Sequence, residues 1–340
     1  LMDHSLVQRD ISGRCQLHDL TRQYAHQKVT DIKALRTRYT AYYAKKLSQW
    51  GEAIRGEGQI PAIAALDVEI DNARQAWGWA IKESNLSHIA QSMDGLCLYY
   101  DWHFRYPEGY AACEELIRHL DNAKSLPDGS TQAEITRVLA KVLVWQSFFA
   151  PTKENESILR RALVYLDDPI TKEIDTRAEH AFCLLRLAKT PSQTKDRDLT
   201  QEMFTQSIKF YDEIGDRWGH ANALTAEGEM LWSISSYKEA AKKLKQSLAI
   251  YSELGDQRGM ATAMVNLGSA LLLHEDGQFE GEQLFKKGLA LYAKLSNKVS
   301  VSKGFEQAIS AMFASGNYEE AYALLLEKKA LEKGRGLRQY

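Results

Sequence analysis

Apolar positions recur three and four residues apart through most of the chain, the spacing of helices that bury one face. The pattern is clearest towards the C-terminus, where three segments align. Residues 216–251 read DRWGHANALTAEGEMLWSISSYKEAAKKLKQSLAIY, residues 256–292 read DQRGMATAMVNLGSALLLHEDGQFEGEQLFKKGLALY, and residues 297–326 read NKVSVSKGFEQAISAMFASGNYEEAYALLL. Matching positions return about every 40 residues, the range of stacked helical hairpins. Gly228 matches Gly268 and Ile309, and Tyr237 matches Phe279 and Tyr318, with the middle copy one residue out of step in its turn. Each copy carries two stripes, in the first Leu224, Gly228 and Leu231, then Tyr237, Ala240, Leu244 and Leu248. Small Gly228 and Ala240 allow paired helices to approach to roughly 8–9 Å. Ser235-Ser236, Gly277-Gln278 and Gly316-Asn317 break the pattern where one helix ends and the next begins. Asp216 and Asp256 stand where a side-chain oxygen caps a helix.

The same periodicity continues upstream in weaker form. Two helices are predicted over 31–53 and 61–84, with Pro61 in the first turn of the second and Ile70, Ala73, Trp77, Ala80 and Ile81 along one side. They read as a helical arm leading into the array. Tyr106-Pro-Glu-Gly109 starts another second helix, Ile158–Leu166 lies in a further one and Glu202–Ile214 in a third. Thr131-x-x-Glu134 is a capping box, and residues 190–198 read as a loop. At the N-terminus, Ser5-Leu6-Val7, a turn at Ser12-Gly13 and Cys15-Gln16-Leu17 read as a short hairpin, with a helix following from about Asp19 to Lys28.

The C-terminal copies resemble the tetratricopeptide repeat (TPR). Leu267-Gly268 matches its Leu-Gly pair, and Tyr237-Lys-Glu-Ala240 and Tyr318-Glu-Glu-Ala321 match the start of its second helix. Its usual period is 34 residues, so this chain has longer second helices or turns. The resemblance implies an all-α fold, a right-handed TPR superhelix (α-solenoid) of six or seven helix pairs. Residues 31–105 would be the arm and first degenerate repeat helices, 106–215 degenerate repeats, and 216–340 three clear repeats with a basic tail.

A second resemblance is carried by residues 1–30 together with the arm. A hairpin followed by Leu17-His18-Asp19-Leu20-Thr21-Arg22-Gln23-Tyr24-Ala25 is similar to the end of the winged-helix subdomain in STAND (NB-ARC) ATPases, with Leu17 for the Met of their Met-His-Asp motif. The segment from Leu66 to Ala80, with Glu69, Asp71-Asn72, Trp77 and Trp79, is similar to the arm joining such domains to bacterial TPR sensors. Residues 1–30 would then be a winged-helix remnant. His18 would sense nucleotide, with Asp19 orienting it. A phosphate cradle needs a Gly-rich loop with Lys and Ser/Thr, and no GxxxxGK[ST] occurs. The expectation is that ATP or ADP with Mg binds upstream in the parent protein and that this segment takes no cofactor.

Composition agrees with a folded interaction module: 44% of residues are hydrophobic and 26% charged, with 6 prolines in 340 residues. A net charge of −2 gives no field for nucleic acid or an anionic membrane. No apolar run approaches the ~18 residues of a spanning helix. The 4 cysteines are scattered, as suits small buried residues in a reducing cytoplasm, and the 9 histidines form no HExxH or other metal spacing. Nothing suggests an enzyme. In the TPR pattern the first helix of each copy faces an inner groove. That places Asn222, Thr225, Glu229 and Trp232 there from one copy, Thr262, Asn266 and Ser269 from the next, and Lys303, Glu306, Gln307, Ser310 and Phe313 from the last. The expected role is capture of a small molecule or protein by a monomeric sensor that controls its own upstream nucleotide-binding domain. The alternative is a general peptide-binding scaffold with a basic clamp, although the groove set holds a single lysine. An enzyme on a helical scaffold would instead need shifted titratable groups converging in a pocket.

Overall fold

The computed structural model describes residues 7–9, 15–17, 19–28, 30–121, 128–190, 196–273, 277–295 and 298–332. An antiparallel hairpin opens the chain, β1 (Val7–Arg9) with β2 (Cys15–Leu17), pairing Val7 with Leu17 and Arg9 with Cys15. The helix α1 (Asp19–Lys28) follows. Both elements coincide with the sequence reading; Ser5, Leu6, the turn at Ser12-Gly13 and His18 lie outside the described residues.

Helices account for the rest. The arm is α2 (Ile32–Ile54) and α3 (Gln59–Lys82). Then come α4 (Leu86–Trp102), α5 (Tyr106–Leu120), α6 (Gln132–Phe149) and α7 (Thr152–Leu166). A 3-10 turn at Pro169–Glu173 leads to α8 (Arg177–Ala188) and α9 (Arg197–Glu213). The array ends with α10 (Arg217–Ser233), α11 (Tyr237–Leu254), α12 (Gln257–Leu272), α13 (Gln278–Lys294), α14 (Lys298–Ala314) and α15 (Tyr318–Glu332). Consecutive helices from α2 onward pack in pairs, and α4, α6, α8, α10, α12 and α14 also touch one another in series. That second set of contacts makes the first helix of each pair the inner layer of a TPR-like α-solenoid.

Local chemistry sets the boundaries. Asp31, Asn85, Asp196, Asp216 and Asp256 each accept from a backbone N–H three residues on, and Thr131 and Glu134 form a reciprocal capping box. The loop expected over 190–198 ends early, because the Asp196 cap starts α9 at Arg197. Among hairpin turns, Gly255 and Gly316 are left-handed, and Ser235 adopts the same conformation at φ 63°.

Small residues bring the helices close. A Cβ on Gly95 of α4 would collide with the Leu47 carbonyl of α2, so only glycine lets the arm lie on the first repeat. Tyr211 and Tyr251 fill the space beneath Gly219 and Gly259, packing one pair on the next.

The arm does more than lead in. Its α2–α3 elbow meets the α11–α12 junction far along the array: Gln59 Nε2 donates to Asp256 Oδ1 at 2.5 Å, and Arg258 N donates to Gln59 Oε1 at 3.1 Å. The guanidinium of Arg55 lies 4.8 Å from the centre of the Trp218 ring. The inner helices curve far enough to bring the arm back against α10 and the start of α12.

Candidate functional site

That curvature encloses a cavity of about 410 Å³ on the concave side. Its walls are single stripes of the inner helices at spacings of three and four: Asp94, Leu98 and Asp101 on α4, then Lys141, Trp145 and Phe148 on α6. On α8 the stripe is Glu179, Phe182 and Arg186, ending at Lys189. On α10 it is Trp218, Asn222, Thr225 and Glu229, and on α12 Arg258 and Thr262. Ile54, Arg55 and Gln59 of the elbow supply a further wall, and Tyr211, Asp216, Tyr251 and Asp256 also line it.

The charges inside are ordered in groups. Asp94 accepts from Lys141 Nζ at 2.8 Å and Trp145 Nε1 at 3.0 Å, and lies 3.4 Å from Arg55. Burial works to raise its pKa, but the two cations prevail and hold it well below the usual carboxylate range. Arg258 donates to Asp101 at 2.8 Å with its guanidinium over the Trp102 ring. Glu229 links three inner helices, since Lys189 donates to it at 3.1 Å and Asn266 Nδ2 at 2.9 Å. Glu179 is buried, its nearest ion-pair partner being Arg137 at 3.7 Å, and burial raises its pKa. Asp256 is also raised by burial, although Gly259 N, Trp218 Nε1 and Gln59 Nε2 all donate to it.

Arg186 departs from this order. Its guanidinium sits 4.6 Å from the centre of the Phe148 ring, and its buried Nε has no hydrogen-bond partner among the described residues. Among the described residues no carboxylate is within ion-pair distance, and burial lowers its pKa to about 10 although Asp101 works to raise it.

The residues expected in the groove divide. Asn222, Thr225, Glu229 and Thr262 line the cavity. Asn266 is buried and reaches it through Glu229, while Ser269 is buried and bonds to Val265 O of its own helix. Thr225 and Thr262 also bond outward, to Ser247 and Tyr292 at 2.6 Å each. Trp232 packs among Ala240, Leu244, Leu267 and Ala270, its Nε1 buried without a partner among the described residues. The α14 set does not reach the cavity. Glu306 pairs with Lys328 on α15 at 2.6 Å, Gln307 and Ser310 lie away from the lining, and Phe313 is 64% exposed beside Tyr318. The Lys303 and Asp19 side chains and all of His18 lie outside what the structure describes.

Sequence reasoning missed the densest part of the wall, on α4, α6 and α8. A signal was present: Asp94 and Lys141 are charges set inside otherwise apolar helical runs, SMDGLCLYY and RVLAKVLVW. The single groove lysine inferred from the pattern becomes five basic side chains in the cavity, Arg55, Lys141, Arg186, Lys189 and Arg258. Charged side chains alternate with Trp145, Phe148, Phe182 and Trp218 in the lining, a wall suited to recognition by charge, hydrogen bond and aromatic packing. Among the described residues no cluster of three or more metal-ligating side chains forms, and no helix is long and apolar enough to cross a membrane.

Comparison with solved structures places this fold among helical-repeat proteins. A Rap protein complexed with Competence and Sporulation Factor superposes with a TM-score of 0.55 at 13% identity, over 84% of this chain and 75% of that one. A Signal Transduction ATPase with Numerous Domains (STAND) protein with a tetratricopeptide repeat sensor, from Pyrococcus horikoshii, gives a TM-score of 0.51 at 11% identity. That match covers 98% of this chain and 57% of the other, so the chain spans a little over half of that protein's length. At such identities the likeness is one of fold. No protein-family model and no curated protein matches the sequence.

Proposed function

We propose that this chain is the ligand-sensing, protein-interaction module of a STAND-type signalling ATPase, working in the cytoplasm as a monomer on a small-molecule or protein ligand. The observation that carries the reading is the cavity itself: one wall comes from the arm and the others from the array, and Gln59, Asp256 and Arg258 tie the two together. A ligand held there touches both bodies. It therefore has different free energy in the tied and untied arrangements, which is what a sensor needs to shift a population. The arm is also the element that continues towards β1, β2 and α1. In the parent, His18 and Asp19 would report nucleotide state at that end, with ATP or ADP and Mg bound by an upstream domain. The chain itself would bind rather than catalyse, and would take neither cofactor, nucleic acid nor membrane.

The fold likeness to a STAND protein with a TPR sensor supports this reading, as does the order of hairpin, arm and array. A second reading, a peptide-binding scaffold without ATPase control, is favoured by the basic side chains in the cavity. Calorimetric titration of the purified chain with Mg-ATP and Mg-ADP tests the division of labour. No heat of binding is expected, and micromolar affinity would place the nucleotide site here. In the full-length parent, Gln59→Ala should alter basal ATPase activity; unchanged turnover would favour the scaffold.

A further inference from the structure

We infer that the cavity takes a compact organic monocarboxylate whose carboxylate is held by Arg186 and whose apolar body lies against Trp145, Phe182 and Leu185. The inference rests on the cavity being the ligand site of the sensor and names the chemistry of its occupant.

Four of the five basic side chains in the cavity already have acids. Lys141 and Arg55 share Asp94, Arg258 has Asp101, and Lys189 has Glu229. Asp216 and Asp256, the other acids of the wall with Glu179, are occupied as helix caps. Arg186 makes no ion pair among the described residues, and Asp101, which Arg258 already holds, acts on it only from longer range. A largely buried cation without a close partner is costly to keep. Phe148 accounts for one face of the guanidinium at 4.6 Å. The buried Nε has no hydrogen-bond partner among the described residues, and the guanidinium stands in the cavity lining. A planar group accepting two parallel hydrogen bonds is the match for a guanidinium fork.

Charge and shape narrow the class further. Six acids and five bases line the cavity, so a dianion such as a phosphate monoester would meet unrelieved carboxylates, whereas a monoanion answers the one unmatched cation. Next to Arg186 the wall turns apolar, with Phe182 set edge-on to Trp145 at 5.0 Å. The volume, about 410 Å³, lies within the range of small-molecule sites and is small for a folded partner.

The experiment measures binding of matched probes to the purified chain by calorimetry and tryptophan fluorescence: 3-phenylpropionate, indole-3-acetate and hexanoate, their primary amides, and inorganic phosphate. Each acid is expected to bind at least about tenfold more tightly than its amide, the worth of one charge-assisted hydrogen bond. Phosphate is expected to bind more weakly than any of the acids. Arg186→Gln should abolish the preference, bringing acid binding down to the level of the amides, and Arg186→Lys should restore part of it. The melting temperature of Arg186→Gln without ligand should stay level or rise, because an unmatched charge has been removed. A fall of several degrees would make Arg186 a structural residue and overturn the assignment, as would a preference that survives in Arg186→Gln. If amides bind as well as acids, the cavity stands as a ligand site and the carboxylate assignment falls. If no acid and no amide binds, the site falls, and the sensor reading with it.

Discussion

Gln59 and Asp256 are 197 positions apart in the chain, yet the amide of one donates to the carboxylate of the other at 2.5 Å. The same amide accepts from the backbone N–H of Arg258, so a single side chain reads both the cap and the first turn of α12. Asp256 serves two structures at once, capping the start of α12 by accepting from Gly259 N and holding the arm. Replacing Gln59 with Ala should lower stability by about 1–3 kcal/mol, the cost of leaving buried polar partners unmet. Urea unfolding measures it, and a change under about 0.5 kcal/mol would mean that the elbow is not held by this contact.

Gly95 should tolerate no side chain. Ala at this position drives a methyl into the Leu47 carbonyl, which is backbone and cannot rotate away. The expected loss is about 1–3 kcal/mol or more, with α2 lifting from α4. Thermal melts report the loss, and faster amide exchange across 40–54 locates it. Wild-type stability in Gly95→Ala would show that the helices pass further apart.

Asp94 gives a pH signature with a fixed sign. Its folded pKa lies below the ordinary value of about 3.9, so the stability it contributes is complete above that value and disappears as pH falls through the folded one. Asp94→Asn should cost about 1–3 kcal/mol at pH 7, because Lys141 and Arg55 lose their acid. The gap between wild type and variant should narrow below pH 4. A gap that widens in acid would reverse the assignment.

Ser235 holds the left-handed position of the α10–α11 turn at φ 63°, where glycine pays no steric penalty. Ser235→Gly should raise stability by a few tenths of a kcal/mol to about 1 kcal/mol, read as a melting shift upward. A downward shift would mean that the hydroxyl contributes more than the backbone strain costs.

Much of the architecture was legible because it is local. Caps at Asp216 and Asp256, the box at Thr131 and the breaks at Ser235 and Gly316 depend on neighbours a few residues away. Asp256 shows where that reach ends: its cap can be read from Gly259, but its bond to Gln59 depends on the accumulated curvature of the inner helices. The cavity wall divided along the same line. Asn222, Thr225, Glu229 and Thr262 follow from the repeat register of the clear copies. Lys141, Phe182 and Arg186 lie in degenerate copies, where no turn fixes which stripe faces inward. The α14 residues line no part of the cavity, because α14 stands beyond the stretch of array that the elbow closes.

The central claim is that cavity and elbow act as one device. The measurement that tests it most directly is amide hydrogen exchange over 51–59 and 254–259, with and without saturating 3-phenylpropionate. Exchange should slow in both segments together, by several-fold, because the bound acid is walled by the arm and the array. Bound probe with unchanged exchange in the two segments would contradict it.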